Sequence, residues 1–416
     1  MNTNGIIWGI AGFATAGVIV RPLRLPEYVW AIAGAGLLVA FGLLPWRDAL
    51  AAAGKGTDVY LFLVGMMLLS EVARQEGLFD WLATHAVRYA KGSAKRLFLV
   101  VYAVGTMVTV LLSNDATAVV LTPAVYAAAT AARVEPLPYL FICAFIANAA
   151  SFVLPISNPA NLVIFGAHMP PLGQWLYQFL LPSIVSILVT YGALRFTQRK
   201  ALDQKIAEDL KTKPLSVGGK CVATGIGLTA AALLAASALD RQLGLPTFVA
   251  GAAVTVVVLL ISRQSPLPVL RDISWGVLPL VAGLFILVEG VEHTGVLRAM
   301  AQMLHEAAAA SSRGTAIAVA AIAALASNLL NNLPTGLVAA IVSQNAAVPL
   351  QVTSGLLIGV DLGPNLSVTG SLATILWLIA LRREGEAVTA WQFLKLGIIV
   401  MPPALLAALL AMAAIE

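Results

Sequence analysis

Long apolar runs, parted by short polar joints, fill this chain from end to end. A membrane-crossing helix needs about 20 mostly apolar residues. By that measure spans are predicted at 5–20, 26–44, 59–77, 137–168, 173–194, 221–239, 246–262, 274–291, 350–381 and 391–414. Two further runs, 97–132 and 314–345, each break at a central polar cluster and read as re-entrant hairpins. The stretches 137–168 and 350–381 are too long for one crossing and carry Gly, Pro, Asn and Ser inside them. Each reads as two half-helices joined by a loop. In the second, Gly359, Gly363, Pro364 and Gly370 are expected to interrupt the helix. Irregular backbone at membrane depth is tolerated only where protein buries it or where it lines a cavity.

The pattern repeats. Gly65, Glu71 and Gly77 fall on Gly283, Glu289 and Gly295 at a constant spacing of 218 residues. The order of three spans, hairpin, broken span and final span also recurs, which divides the chain into repeats at 1–196 and 221–416 joined by a linker, 197–220. With five crossings per half, the second repeat is inverted relative to the first. The expected fold is therefore an all-α polytopic membrane protein with about ten transmembrane helices, two re-entrant hairpins and two broken helices.

Composition agrees. Of 416 residues, 60% are hydrophobic and only 11% charged, far from the soluble average of about 25%. No stretch is long and polar enough to form a separate soluble domain, and the first apolar run lacks the basic preface of a cleaved signal peptide. Charge orients the chain. Placing the linker in the cytoplasm puts 20 of the 25 Lys and Arg residues on that side, as the positive-inside rule requires. Both termini are then external, and a 12-span arrangement, with each hairpin crossing as a pair of helices, places the termini on the same side and satisfies the charge pattern equally. The net charge of +5 is accounted for by these loops and needs no nucleic-acid partner. Two cysteines, on different spans, make a disulfide or a cysteine-rich metal site unexpected. The histidines His85, His168, His293 and His305 lack metal-ligand spacing and read as surface residues.

The polar breaks carry the candidate chemistry. The first hairpin turns at Ser113, Asn114, Asp115 and Thr117; the second turns around Asn331 and Asn332, and Asn114 and Asp115 align with these two at a spacing of 217. The first broken span holds Asn158 and Asn161, and the second holds Asn365, Thr369 and Ser371. Helix ends present free N–H groups and partial charge, and amide and hydroxyl oxygens accept protons or coordinate cations. Taken singly, each such residue reads more readily as a cap on freed backbone. Four coincident breaks in two symmetric pairs read as a transport site. Asp115 is the only charge between Arg96 and Arg133, and Asp361 the only one between Arg313 and Arg382. A carboxylate at that depth costs about 3 kcal/mol or more, so both are expected to couple proton movement. Glu71 and Glu289 lie nearer span ends, where structural and proton-transfer roles are equally open. No basic residue falls within the hairpins or broken spans, which favours a neutral or cationic substrate over an anion. No nucleotide-binding loop of the GxxxxGK[ST] type occurs, and no nucleophile–base pair suggests an enzyme.

Three segments carry a family likeness: SNDATAVVLTP at 113–123, SNLLNNLPTGL at 327–337 and GVDLGPNLSVTGSLATILWLIALRREG at 359–385. They resemble the arsenite and antimonite efflux permeases of the ion transporter superfamily. The resemblance implies a multi-pass protein of the cell's inner membrane that exports trivalent arsenite or antimonite and confers metalloid resistance. Export would be driven by the proton gradient, or by ATP when a separate soluble ATPase docks on the cytoplasmic side; no cofactor is implied. Arsenous acid is an uncharged trihydroxide at neutral pH, which Asn, Ser and Thr can bind without a basic partner. The same scaffold also serves sodium-coupled carriers and sodium–proton antiporters, which stand as the alternative. The first hairpin has Asp-Ala-Thr where many relatives have Asp-Gly-Ala.

Overall fold

A computed structural model describes residues 3–166, 169–204, 206, 214–239 and 241–415. His168 and linker positions 205 and 207–213 lie outside the described residues. Everything regular in the described residues is helical. The first half runs α1 (Thr3–Val20), α2 (Glu27–Ala40), α3 (Trp46–Lys55), α4 (Thr57–Gln75), α5 (Leu78–Ala90), α6 (Ala94–Leu111), α7 (Asn114–Ala116), α8 (Thr122–Ala131), α9 (Leu137–Ala149), α10 (Pro159–Phe165) and α11 (Leu172–Thr197). The second runs α12 (Val217–Ala238), α13 (Gly244–Ser262), α14 (Pro266–Asp272), α15 (Val277–His293), α16 (Val296–Ala310), α17 (Ser312–Leu330), α18 (Asn332–Ala346), α19 (Leu350–Leu362), α20 (Leu372–Arg383) and α21 (Ala390–Ala413). This is an all-α polytopic membrane protein. Among the described residues eight helices are long and apolar enough to cross a bilayer, or nine if α3 and α4, bent by 48° at Gly56, count as one. That set includes the long hairpin arms α6 and α17 and omits α2, which has 14 residues, and both broken spans.

Both hairpins and both broken spans form where polar clusters interrupt the apolar runs. Ser113 caps α7, accepting from the Ala116 N–H at 3.3 Å. Residues Thr117–Leu121 then widen into a π turn before α8. Pro123 explains it: the ring lacks an N–H and displaces the carbonyl four residues back.

Several expectations need correction. Gly359 does not interrupt the second broken span; it lies inside α19. Gly355, Gly359 and Gly363 form a rail against Ala316, Ala320 and Ala324 of α17. A Cβ on Gly359 would stand 2.2 Å from the Ala320 carbonyl oxygen. Small residues every fourth position let two helices close to backbone contact. The break falls later, where Pro364 opens a short 3-10 turn, Gly363–Leu366, and the backbone is extended at Ser367 and Ser371. Four helices also occupy regions read as loops. α3, α5, α14 and α16 are short and bury only one face, so a window tuned to 20-residue apolar runs passes over them. α5 and α16 each start after a left-handed glycine, Gly77 and Gly295, with φ of 72° and 79°. They lead into the two hairpins.

Helix ends refine the internal register. The capping residue Asn331 lies 218 positions after its counterpart Ser113, so Asp115 stands opposite Leu333, not Asn332. Past the hairpins the spacing is 213: α9 and α19 match at both ends, and α10 and α20 match at their starts. Asn148 then stands opposite Asp361, Asn158 opposite Ser371, and Asn161 opposite Thr374.

Candidate functional site at the crossing of two broken spans

The loops of the two broken spans meet through side chains. Asp361, at the last turn of α19, is fully buried at 0% exposure. Its Oδ1 accepts from Asn158 Nδ2 at 2.8 Å, and its Oδ2 lies 2.7 Å from Ser151 Oγ. Neither partner is charged. Asn158 also caps α10, its Oδ1 accepting from the Ala160 N–H at 3.0 Å. Ser151 Oγ lies 2.7 Å from the Asn148 carbonyl oxygen as well. Its single hydrogen therefore serves one of two acceptors. Pointed at Asp361, it stabilises a carboxylate. Pointed at Asn148, it leaves its oxygen to accept a proton held by Asp361.

A second bridge crosses beside it. Asn148 Nδ2 donates to Asn365 Oδ1 at 3.0 Å, while Asn365 Nδ2 donates to the Phe145 carbonyl at 3.0 Å. Thr374 lies 3.4 Å from Asn148 Nδ2 and shares a 2.9 Å hydroxyl contact with Ser371, the cap of α20. All of these residues are buried.

The hairpins differ in attachment. The second is laced to the loop after α19. Asn331 Nδ2 donates to the Thr369 carbonyl at 3.2 Å, and the Asn332 N–H donates to the Gly370 carbonyl at 2.8 Å. Asn328, not among the expected site residues, takes part most: it donates to the Gly363 carbonyl at 2.8 Å and accepts from Ser367 at 2.7 Å. Thr369 Oγ1 donates to its carbonyl at 3.1 Å. The first hairpin turns inward on itself. Asn114 Oδ1 accepts from the Asp115 N–H at 2.9 Å, and Thr117 pairs with Thr109 at 2.8 Å. One tie runs from Ser157 to the Val110 carbonyl at 3.1 Å. The Asp115 carboxylate has no hydrogen-bond partner among the described residues; it faces a cavity beside α4.

Thus the structure gathers Asn158, Asn365, Ser371 and Asp361 in one cluster and Asn331, Asn332 and Thr369 in a neighbouring one. Asn161 belongs to neither: its amide donates to the Ser151, Leu154 and Pro155 carbonyls at 2.9–3.3 Å and braces its own loop. Thr117 likewise serves the hairpin interior. Sequence reasoning passed over Ser151 and Asn328 as site residues. The helix-end spacing of 213 does single out Asn148, opposite Asp361; nothing comparable marks Ser151. Glu71 and Glu289 are both ion-paired, with Arg74 at 2.5 Å and Lys55 at 2.6 Å. Among the described residues three buried amide oxygens, of Asn148, Asn161 and Asn332, accept no hydrogen bond. Buried oxygens of this kind are costly unless something else satisfies them.

A helical membrane bundle whose two broken spans meet through a buried polar cluster has the architecture of a membrane transporter. Residues 13–360 match the model of the citrate transporter family, CitMHS, and the chain belongs to that family. It is 27% identical to an uncharacterised transporter of Mycobacterium tuberculosis across 93% of each chain. It is 26% identical to an arsenical pump membrane protein of Escherichia coli across 95% of each. Among solved structures it resembles the YdaH transporter of Alcanivorax borkumensis, with a TM-score of 0.58, 16% identity and coverage of 89% of this chain and 87% of that one. Neisseria gonorrhoeae MtrF, described as illuminating a class of antimetabolite efflux pumps, gives a TM-score of 0.57 at 12% identity over 88% and 83%. These two likenesses concern the fold.

Proposed function

We propose that the protein exports trivalent arsenite or antimonite across the cell's inner membrane in exchange for protons, with Asp361 and Asp115 as the coupling acids. The observation that carries this reading is the Asp361–Ser151–Asn148 arrangement. A carboxyl that meets only neutral partners, next to a hydroxyl poised between two acceptors, can hold or release one proton without rebuilding its surroundings. Asn158, Asn365, Ser371, Asn331, Asn332 and Thr369 supply the uncharged hydrogen-bonding surface that a trihydroxide needs. The likeness to arsenical pump membrane proteins supports the same substrate class. The two repeats are read as inverted, and the contacts favour the charge-derived sidedness. Segments assigned to the cytoplasm meet one another, as in Lys95 with Asp203 and Arg74 with Asp272. Segments assigned to the exterior do likewise, as in Asp48 with His293 and Asn4 with the Thr294 carbonyl. A soluble ATPase docking on the cytoplasmic side belongs to this reading as an accessory, not a requirement.

Everted vesicles with an imposed pH gradient test it: arsenite or antimonite should accumulate and collapse with the gradient. Accumulation that ignores the gradient would refute proton exchange. A sodium-coupled carrier or sodium–proton antiporter is the second reading, favoured by the three unpartnered amide oxygens. Sodium-dependent flux with no metalloid transport would establish it in place of the first.

A further inference from the structure

The cavity that receives Asp115 is a site in its own right. Phe62, Met66 and Ser70 of α4 form one wall, the first hairpin tip a second, and the turn from α14 into α15 a third. It is a cleft open to solvent, with room for a few waters or one small solute. The mouth is exposed at Asp272 and Ser274, while the interior is buried at Ser113 and Ser70. Ser70 is only 8% exposed, yet its hydroxyl has no hydrogen-bond partner among the described residues and faces this space. A hydroxyl left unpaired at a cavity wall is free to pair with a solute or water that enters.

The charges lining the space are lopsided. Asp115, Glu71 and Asp272 are carboxylates. Against them stands one guanidinium, Arg74, which donates to Glu71 at 2.5 and 2.9 Å and to Asp272 at 2.7 Å. Gln75 donates to Glu71 at 2.7 Å and completes its shell. The Arg74–Asp272 contact joins α4 of the first half to α14 of the second across the mouth. A cleft of one sign with low-dielectric walls concentrates ions of the other sign and repels its own.

We propose that this cavity is a cation-selective antechamber of the transport pathway. It admits small uncharged or cationic solutes from the side that charge assigns to the cytoplasm, turns polycarboxylates away, and is latched by the Arg74–Asp272 pair. The pathway part of this rests on the transporter reading above. The charge selectivity stands on the cavity alone, and it separates this chain's substrate class from the carboxylate named for its family.

The test uses the full chain in everted vesicles, with Cys143→Ala and Cys221→Ser as the background and Ser70→Cys as the reporter. Cationic and anionic methanethiosulfonates of matched size are applied to the exposed face. The cationic reagent should react at least about tenfold faster, with the ratio shrinking as salt is raised. Adding Asp272→Asn should speed both reactions and narrow the ratio. Equal rates, a faster anionic reagent, or no reaction in either background would overturn the proposal. If Ser70→Cys does not purify as a single folded species, Val119→Cys on the opposite wall reports instead. Flux measured after labelling separates the two claims. Selective labelling with undiminished flux removes the cavity from the pathway and leaves the transporter reading intact. Selective labelling of a protein that moves no metalloid even before labelling refutes the metalloid substrate and leaves the selectivity standing.

Discussion

The two hairpin tips share a backbone plan and differ in chemistry. Each follows a short amphipathic helix, turns at a capped break, and lies alongside a long helix, α4 or α15. Beside the first tip the lining includes Ser70, Glu71 and Asp115. Beside the second, the corresponding pocket is lined by Leu284, Leu287, Val288, Leu329, Leu330 and Pro334, with α1 completing it. Ser70 and Val288 occupy equivalent places 218 residues apart. The second tip is instead tied to its broken span by Asn328, Asn331 and Asn332. The lesson is a division of labour imposed on a duplicated frame. One tip offers an acidic face, and the other is an apolar-flanked, cross-linked anchor.

That contrast can be broken by experiment. The largest effect is expected at the residue the two broken spans share. Asp361→Asn should lower gradient-driven flux by on the order of a hundredfold, equivalent to about 3 kcal/mol. Vesicle flux checks it, with melting of the purified protein as the folding control; wild-type flux would remove Asp361 from coupling. Next is a transplant of charge. Val288→Lys should destabilise by about 3 kcal/mol or more, while Ser70→Lys, facing the carboxylates of the first cavity, should melt much closer to wild type. Equal losses would mean that the two pockets are not distinct environments. Asn328→Ala should cost about 1–3 kcal/mol by freeing the Gly363 carbonyl, read as a lower melting temperature with charge selectivity at Ser70→Cys unchanged. The smallest effect is expected from Thr117→Val, which removes one hydroxyl pairing worth about 1 kcal/mol. Its flux should stay within about twofold of wild type.

Much of this layout is legible in the residues. Lone acids in apolar runs, Pro and Gly at mid-span, and the 218-residue echo point to hairpins, broken spans and Asp361. Each signal is local, because a break in an apolar run is visible where it occurs. What resists reading is tertiary. Ser151 looks like any small loop residue until α19 brings Asp361 within 2.7 Å of it. Asn328 looks like a second helix-end amide until its partners arrive from beyond residue 360. Gly359 misleads because glycine favours breaks and close helix contacts alike, and only the neighbouring α17 decides between them.

The rail of Gly355, Gly359 and Gly363 against α17 has a consequence for timing. One of its helices carries Asp361 in its last turn, and the other carries Asn328 at the same end of the contact. With backbones in contact along three successive turns, neither helix can slide or tilt without taking the other. Any movement of the acid therefore carries the amide network with it. A proton on Asp361 would be felt by the second hairpin through a short lever, because Asn328 already grips the Gly363 carbonyl two residues beyond the acid.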